Sequence, residues 1–345
     1  MREAATCPEC GAFGALLCSG VQDYYFGSPG DWDYYRCQEK SCGVAWPQPL
    51  PSGAVLAEAY GHYYTHQAEE VPGAIGELQL ALTRMLYAGA RPGRFSHILS
   101  RFRRTPFVGR LIEDCLLESG CIAPKKAGMI VDIGCGSGDR LSLFTALGWG
   151  KAVGVEPDDA AVAAARQLGR DVRLGSADAL PFEAATVDAA VMHHVIEHVP
   201  SSTRALAESF RVLKPNGYLM IITPNIDSTT RVKWGEFWRG FEAPRHLTIF
   251  TVQALGSAVT RVGFEIEAAR TSGRSGAWMD NVSAAAARSE VEAKASLLEV
   301  LVTSQSYFRA QERKIAAGDE IGDEIVLIAR KPSANPGDVR SSGPF

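Results

Sequence analysis

Three groups of residues in this chain have types and spacings that could do chemistry. The first is cysteine-rich. Cys7-Pro8-Glu9-Cys10-Gly11 is a thiolate pair on a turn closed by glycine, and Cys37 and Cys42, followed by Gly43, form a wider second pair. Five of the eight cysteines fall in the first 42 residues. In a cytosolic chain such clustering argues for metal rather than disulfides. Four thiolates, Cys7, Cys10, Cys37 and Cys42, suit a tetrahedral structural Zn2+, and a closed set of this kind leaves no position for catalysis. Cys18 is an alternative ligand, although its neighbours Leu16 and Leu17 fit a buried thiol better; Cys115 and Cys121 read as buried small residues.

The second group is Met129-Ile130-Val131-Asp132-Ile133-Gly134-Cys135-Gly136-Ser137-Gly138-Asp139. A short apolar run breaks into three alternating glycines, and an amphipathic helix follows with Leu141, Leu143, Phe144 and Leu147 on one face. Strand, glycine turn and helix make the first unit of a nucleotide-binding α/β sheet. Glycines there can take positive φ and let a ligand approach the backbone, and the helix start offers free N–H groups to an anion. The third group is histidine-rich: His193, His194, Glu197 and His198, then Arg245-His246 further on. His194, Glu197 and His198 lie near one helix face at a spacing found among metal ligands. His246 titrates near working pH and suits a general base, or else caps the next helix, Val252 to Val262; Arg245 suits an anionic group.

The elements that must position these residues follow in order. Ala152 to Glu156 reads as a second strand ending in a carboxylate, and Asp171 to Leu174 as a short third one. Gly175 to Phe182 puts Asp178 on a loop, and Val187 to Met192 is a fourth strand that delivers the histidines. Leu213 to Tyr218 turns into a fifth strand, Leu219 to Thr223; Gly263 to Ala268 and Glu324 to Ala329 are the sixth and seventh.

Read together, VDIGCGSGD, VGVEPD, SADALPF, VDAAVMHHVIEHV and LKPNGYLMIITPN strongly resemble the class I S-adenosylmethionine (SAM)-dependent methyltransferases, in family order across Ile130 to Asn225. The resemblance implies an α/β, Rossmann-like seven-stranded sheet. It places Asp132, Gly134, Gly136, Gly138 and His193 at the methionine end of SAM and Glu156 on both ribose hydroxyls. Asp178 falls at the adenine amino group, with Pro157 and Ala177 flanking the ring. It implies His194 and His246 as catalytic candidates. In the family the H-x-x-E-H segment is common without a metal. The Trp-rich stretch with Trp234 and Trp238, followed by Pro244-Arg245-His246-Leu247, resembles a branch acting on small molecules, including quinones, glycans and antibiotic sugars. Related enzymes also carry an N-terminal zinc ribbon whose second pair is CxxC; here two extra residues separate Cys37 from Cys42. A Pro-rich turn followed by a Tyr-bearing helix forms part of the wall over the cofactor in relatives, which makes Tyr63 and Tyr64 candidates for the substrate mouth.

The 345 residues have room for more than one unit. We divide them into a zinc-ribbon-like module at 1–50, a helical linker or lid at 51–126 and the SAM-binding domain at 127–331. A helical insertion occupies about 272–322, and 332–345 reads as a disordered tail. The aromatic stretch Tyr24 to Tyr35 reads as a hairpin of the ribbon, and Trp46 to Pro51 as a proline-blocked linker. A basic run, Arg91 to Arg110, reads as a solvated face, and the insertion could supply a homodimer contact. The net charge of −4 gives no drive toward nucleic acid, and no apolar run of membrane length exists. The first residues lack a signal-peptide core, so a cytoplasmic location is expected. The expected function is methyl transfer from SAM to an O, N or C nucleophile of a small organic or glycan-linked substrate. The alternatives are a protein or nucleic-acid methyltransferase that reads through the Cys-rich module, and a non-catalytic scaffold.

Overall fold

The computed structural model describes residues 5–61, 117, 120, 122, 125, 127–288, 311, 313–315 and 317–333. Tyr63, Tyr64, the basic run, the middle of the insertion and all but the first two residues of the tail lie outside the described residues, as does any dimer contact the missing part of the insertion would make.

The N-terminal module is an antiparallel sheet in the order β1-β2-β3, with β1 at Gly14–Gln22, β2 at Asp31–Cys37 and β3 at Ala45–Gln48. The hairpin expected around the aromatic stretch is β1 and β2. The linker expected at Trp46 begins later than the prolines suggest, because Ala45–Gln48 pairs with β2 from Arg36↔Ala45 to Asp33↔Gln48. Pro47 is tolerated because β3 lies at the sheet edge. Trp46 draws the segment in: it is buried, with Tyr35 alongside at 6.5 Å between ring centroids, and a side chain on Gly14 would collide with its indole. Helix α1, Gly53–Tyr60, then starts on Ser52, whose hydroxyl accepts the N–H of Val55.

The second sheet holds seven strands: β4 at Met129–Ile133, β5 at Lys151–Glu156, β6 at Val172–Leu174, β7 at Val187–His193, β8 at Leu213–Pro224, β9 at Glu265–Ser272 and β10 at Glu324–Arg330. Their order is β6-β5-β4-β7-β8-β10-β9, and β10 alone runs antiparallel to its neighbours. Between strands run α2 (Asp139–Leu147), α3 (Asp159–Gln167), α4 (Ser202–Val212), α5 (Thr229–Trp234), α6 (Val252–Val262) and α7 (Gly276–Ala287). Apolar runs such as Ile130-Val131 and Val191-Met192 are buried on both faces, as a covered parallel sheet demands. The strand order reverses between β4 and β7, which puts a crevice at their C-terminal ends.

The ribbon is built into this domain. Cys7, Cys37, Cys42, Val44 and Trp46 belong to the same apolar cluster as Phe250, Val252 and Ala254. Ala45 and Ile249 exchange backbone hydrogen bonds at 2.9 and 2.8 Å, and the Thr251 hydroxyl donates to the Cys42 carbonyl at 2.8 Å. Burying these side chains in one shared core couples the folding of the two sheets.

Candidate active site and metal centre

The glycine turn after β4 uses the freedom its residue types allow. Gly134, Gly136 and Gly138 have φ of 67°, 54° and 79°, a region that favours residues without Cβ. The N–H groups of Gly134 and Cys135 both donate to the Val155 carbonyl, at 2.7 and 3.1 Å, folding the turn against β5. Glu156, at the end of β5, is buried; Oε2 accepts the Gly136 N–H at 2.8 Å and Oε1 the Asp158 N–H at 3.2 Å. Burial pushes its carboxyl pKa up, against the pull of those two N–H groups. Each oxygen keeps lone-pair capacity for a hydroxyl donor.

Asp178 accepts from the Ser176 hydroxyl at 2.6 Å and faces Arg204 at 3.4 Å; Ala177 is buried beside it and Pro157 exposed at the rim. Asp132 is buried at the end of β4, with Arg140 at 3.4 Å. Arg140 also reaches His193 Nδ1 at 2.8 Å. Burial, together with Arg140, holds the His193 imidazole well below its usual pKa, so the ring is neutral and Nδ1 accepts. Arg140 was not singled out from sequence, although its place on the first turn of the helix after the glycines could have flagged it.

The histidines fall into two groupings, His194 with Glu197 and Glu324 and His198 with His246, and Glu197 lies within reach of the second as well. His194, at φ 56°, is held between two carboxylates, with Nδ1 3.1 Å from Glu197 and Nε2 3.1 Å from Glu324. Burial disfavours its charge, but the two carboxylates outweigh that and push its pKa up to about 10. A group protonated throughout the neutral range does not accept a proton there. Glu197, also hydrogen-bonded by Thr223 at 2.9 Å, is drawn down to about 2 despite its burial, with His194 as the leading opposing influence.

His198 and His246 meet edge to face, with 4.6 Å between ring centroids. His246 is buried, its Nδ1 donating to the Gly240 carbonyl at 2.7 Å and its Nε2 3.7 Å from Glu242. Burial and His198 push its pKa down to about 4, so the ring is neutral at pH 7. His198 Nδ1 lies 3.2 Å from the Arg245 carbonyl and 3.0 Å from the hydroxyl of Tyr60, at the end of α1. Tyr60 stands beside the histidines, and Tyr63 and Tyr64, expected at the substrate mouth, lie outside the described residues.

Arg245 is fully buried. Its guanidinium donates to Asp23 at 2.8 Å, Ser28 at 3.1 Å and the Ala59 carbonyl at 3.2 Å, with Glu242 at 3.4 Å and the Phe26 ring beneath it at 4.4 Å. Trp238 is buried and donates to Thr230 at 2.9 Å, whereas Trp234, on α5, donates to Asp280 of α7 at 2.8 Å. These three side chains tie the loop after β8 to the ribbon hairpin and to α7.

Cys7, Cys10, Cys37 and Cys42 converge, with their sulfur atoms within 4.8 Å of one another. The Cys7–Cys42 and Cys10–Cys37 separations are 3.8 and 3.4 Å. A tetrahedral zinc with bonds of about 2.3 Å needs sulfurs about 3.8 Å apart. The turns fit as well: the Gly11 N–H donates to the Cys7 carbonyl, those of Cys42 and Gly43 to the Glu39 carbonyl, and Gly11 and Gly43 have positive φ. The two extra residues between Cys37 and Cys42 are absorbed in that second turn. The four cysteines therefore fit a zinc ion, which would hold the ribbon together and, being enclosed by four sulfurs, would not meet substrate. Cys18 lies apart, on β1.

A family model described as a methyltransferase domain matches residues 92–269. A probable S-adenosylmethionine-dependent methyltransferase of Mycolicibacterium smegmatis is 31% identical over 140 residues, 40% of this chain and 52% of that protein. A methyltransferase of Mycolicibacterium vanbaalenii is 35% identical over 146 residues, 41% of this chain and 54% of that protein. The chain thus spans about half the length of these curated relatives. Among solved structures, a SAM-dependent methyltransferase of Thermotoga maritima, described as a possible histamine N-methyltransferase, is 20% identical with a TM-score of 0.43, covering 72% of this chain and 99% of that one.

Proposed function

This chain belongs to the methyltransferase-domain family, and on that premise we propose that it is a SAM-dependent methyltransferase that methylates an O, N or C nucleophile of a small organic or glycan-linked acceptor. The observation that carries the cofactor assignment is the buried Glu156 carboxylate, oriented by the Gly136 N–H over a turn whose three glycines have positive φ. We assign Glu156 to the ribose hydroxyls, Asp178, Ala177 and Pro157 to adenine, and Asp132, Gly134, Gly136, Gly138 and His193 to the methionine end.

Bound SAM supplies a methyl group on a cationic sulfur. The chain's own residues then have to align the acceptor behind that methyl, exclude water and deal with any acceptor proton. Of the two expected catalytic histidines we retain His246, neutral and with Nε2 unused by Gly240, and pair it with His198; His194 becomes a charged support for Glu197. Arg245, Trp234 and Trp238 are assigned to holding the acceptor wall rather than to touching substrate, because their polar atoms are already engaged. The built-in ribbon supports a small acceptor: the faces carrying Cys42 and Ala45 are spent on Thr251 and Ile249 instead of being presented to a macromolecule.

Incubation with methyl-labelled SAM and host extract tests the acceptor class. Label in small organic or glycan-linked material supports it. Label in protein or nucleic acid overturns it.

A further inference from the structure

Glu197, His198 and His246 each bring one ligand atom to within 4.8 Å of the others, and only one other group of described residues, the four cysteines, does the same. From this juxtaposition we propose a second metal site, a divalent first-row transition ion held by the Glu197 carboxylate and the Nε2 atoms of His198 and His246 beside the acceptor crevice.

The hydrogen bonds around the rings set the donor atoms. A carbonyl oxygen only accepts, so the His246 Nδ1 facing Gly240 O at 2.7 Å carries hydrogen, and the His198 Nδ1 does the same where it donates to Arg245 O at 3.2 Å rather than accepting from the Tyr60 hydroxyl at 3.0 Å. That tautomer leaves a lone pair on each Nε2. Glu197 adds a third lone-pair donor. Glu242 stands 3.7 Å from His246 Nε2 and brings a further negative charge.

The surroundings are those of a ligand set. Histidine ligands usually donate the other ring N–H to a carbonyl or carboxylate, and ligating carboxylates are hydrogen-bonded in turn. Here both imidazoles are fixed through Nδ1, and Glu197 is fixed by His194 at 3.1 Å and Thr223 at 2.9 Å. Two imidazoles and one carboxylate suit zinc, manganese or iron better than magnesium or calcium. Three protein ligands leave positions open for water or an acceptor oxygen, which the ion would polarise. The inference rests on the function proposed above and deepens it: His246 would act on the acceptor proton through the ion instead of as a free base.

Mn2+ is the probe, because thiolates hold it poorly and the cysteine site stays out of the measurement. The full chain, carrying one equivalent of zinc for the four thiolates, is titrated with Mn2+ and followed by electron paramagnetic resonance. The account predicts one saturable Mn2+ per chain and at least about tenfold weaker binding in His198→Ala and in His246→Gln. Absence of saturable binding, or equal binding in both variants, overturns it. If a variant does not fold, the wild-type spectrum decides: nitrogen couplings from two imidazoles are expected, and none contradicts the site. SAM binding is measured on the same sample. SAM bound without Mn2+ overturns this inference alone, and Mn2+ bound without SAM overturns the proposed cofactor site alone.

Discussion

The two sides of the crevice are held by different means. On the cofactor side the key contacts are local: Glu156 meets Gly136 twenty positions away, Asp178 meets Ser176 two away, and backbone N–H groups do most of the work. On the side proposed for the acceptor the partners are remote. Arg245 meets Asp23 across 222 positions, Tyr60 meets His198 across 138 and His194 meets Glu324 across 130. Local backbone geometry assembles with its own strand and turn, whereas the acceptor side exists only once the ribbon, α1 and β10 have closed on the loop after β8. The difference teaches that damage to the ribbon should reach the acceptor wall first and the SAM cradle last.

The largest test of that contrast is metal removal. If the four cysteines hold a zinc ion, stripping it with a chelator, or Cys7→Ser, should lower the melting temperature by about 10 °C or more. Metal content and a thermal scan check it; an unchanged melting temperature would count against a structural ion. A more local break is Asp23→Ala, which leaves the Arg245 guanidinium buried with one carboxylate fewer. It should cost about 3–5 kcal/mol in denaturant unfolding, while SAM affinity in the folded protein stays within about twofold. A large loss of SAM affinity there would mean the two sides are not separable.

Glu156→Ala should do the reverse. Losing a charged acceptor of two ribose hydroxyls costs about 1.5–3 kcal/mol, or roughly 10- to 100-fold in SAM affinity, with the melting temperature of the SAM-free protein little changed. A further test is the pH dependence set by His194. Its folded pKa is raised, so its contribution to stability is complete below about pH 6.5 and is lost as pH rises through about 10. Glu197 works in the other direction, its contribution fading as pH falls from the ordinary carboxylate range through about 2. His194→Gln should flatten the alkaline limb of the stability curve, read by urea midpoints from pH 6 to 10; an unaltered limb would place the proton elsewhere.

The contrast also explains what the sequence disclosed. The β4–glycine–α2 unit, the carboxylate ending β5 and helix α6 at Val252–Val262 lie where the residues indicate, because each is specified by its own short-range pattern. The acceptor side was less legible. Pro47 hid strand β3, since the burial of Trp46 is a tertiary event. Arg245 read as suited to an anionic group because a charged Arg on a loop is ordinarily exposed; the Asp23 it meets lies just after β1, 222 positions away. Tyr60, one residue before Gly61 ends its helix, carried no spacing signal toward His198. His194 and His198 are four apart in a motif that gives no hint that one faces Glu324 and the other Tyr60.

The central claim is a SAM cradle built on Glu156 and the three glycines, and calorimetric titration of SAM into the wild-type chain and Glu156→Ala tests it most directly. The account predicts one SAM per wild-type chain and binding weaker by about 10- to 100-fold in the variant. No binding to the wild type, or equal affinity in both, would contradict it.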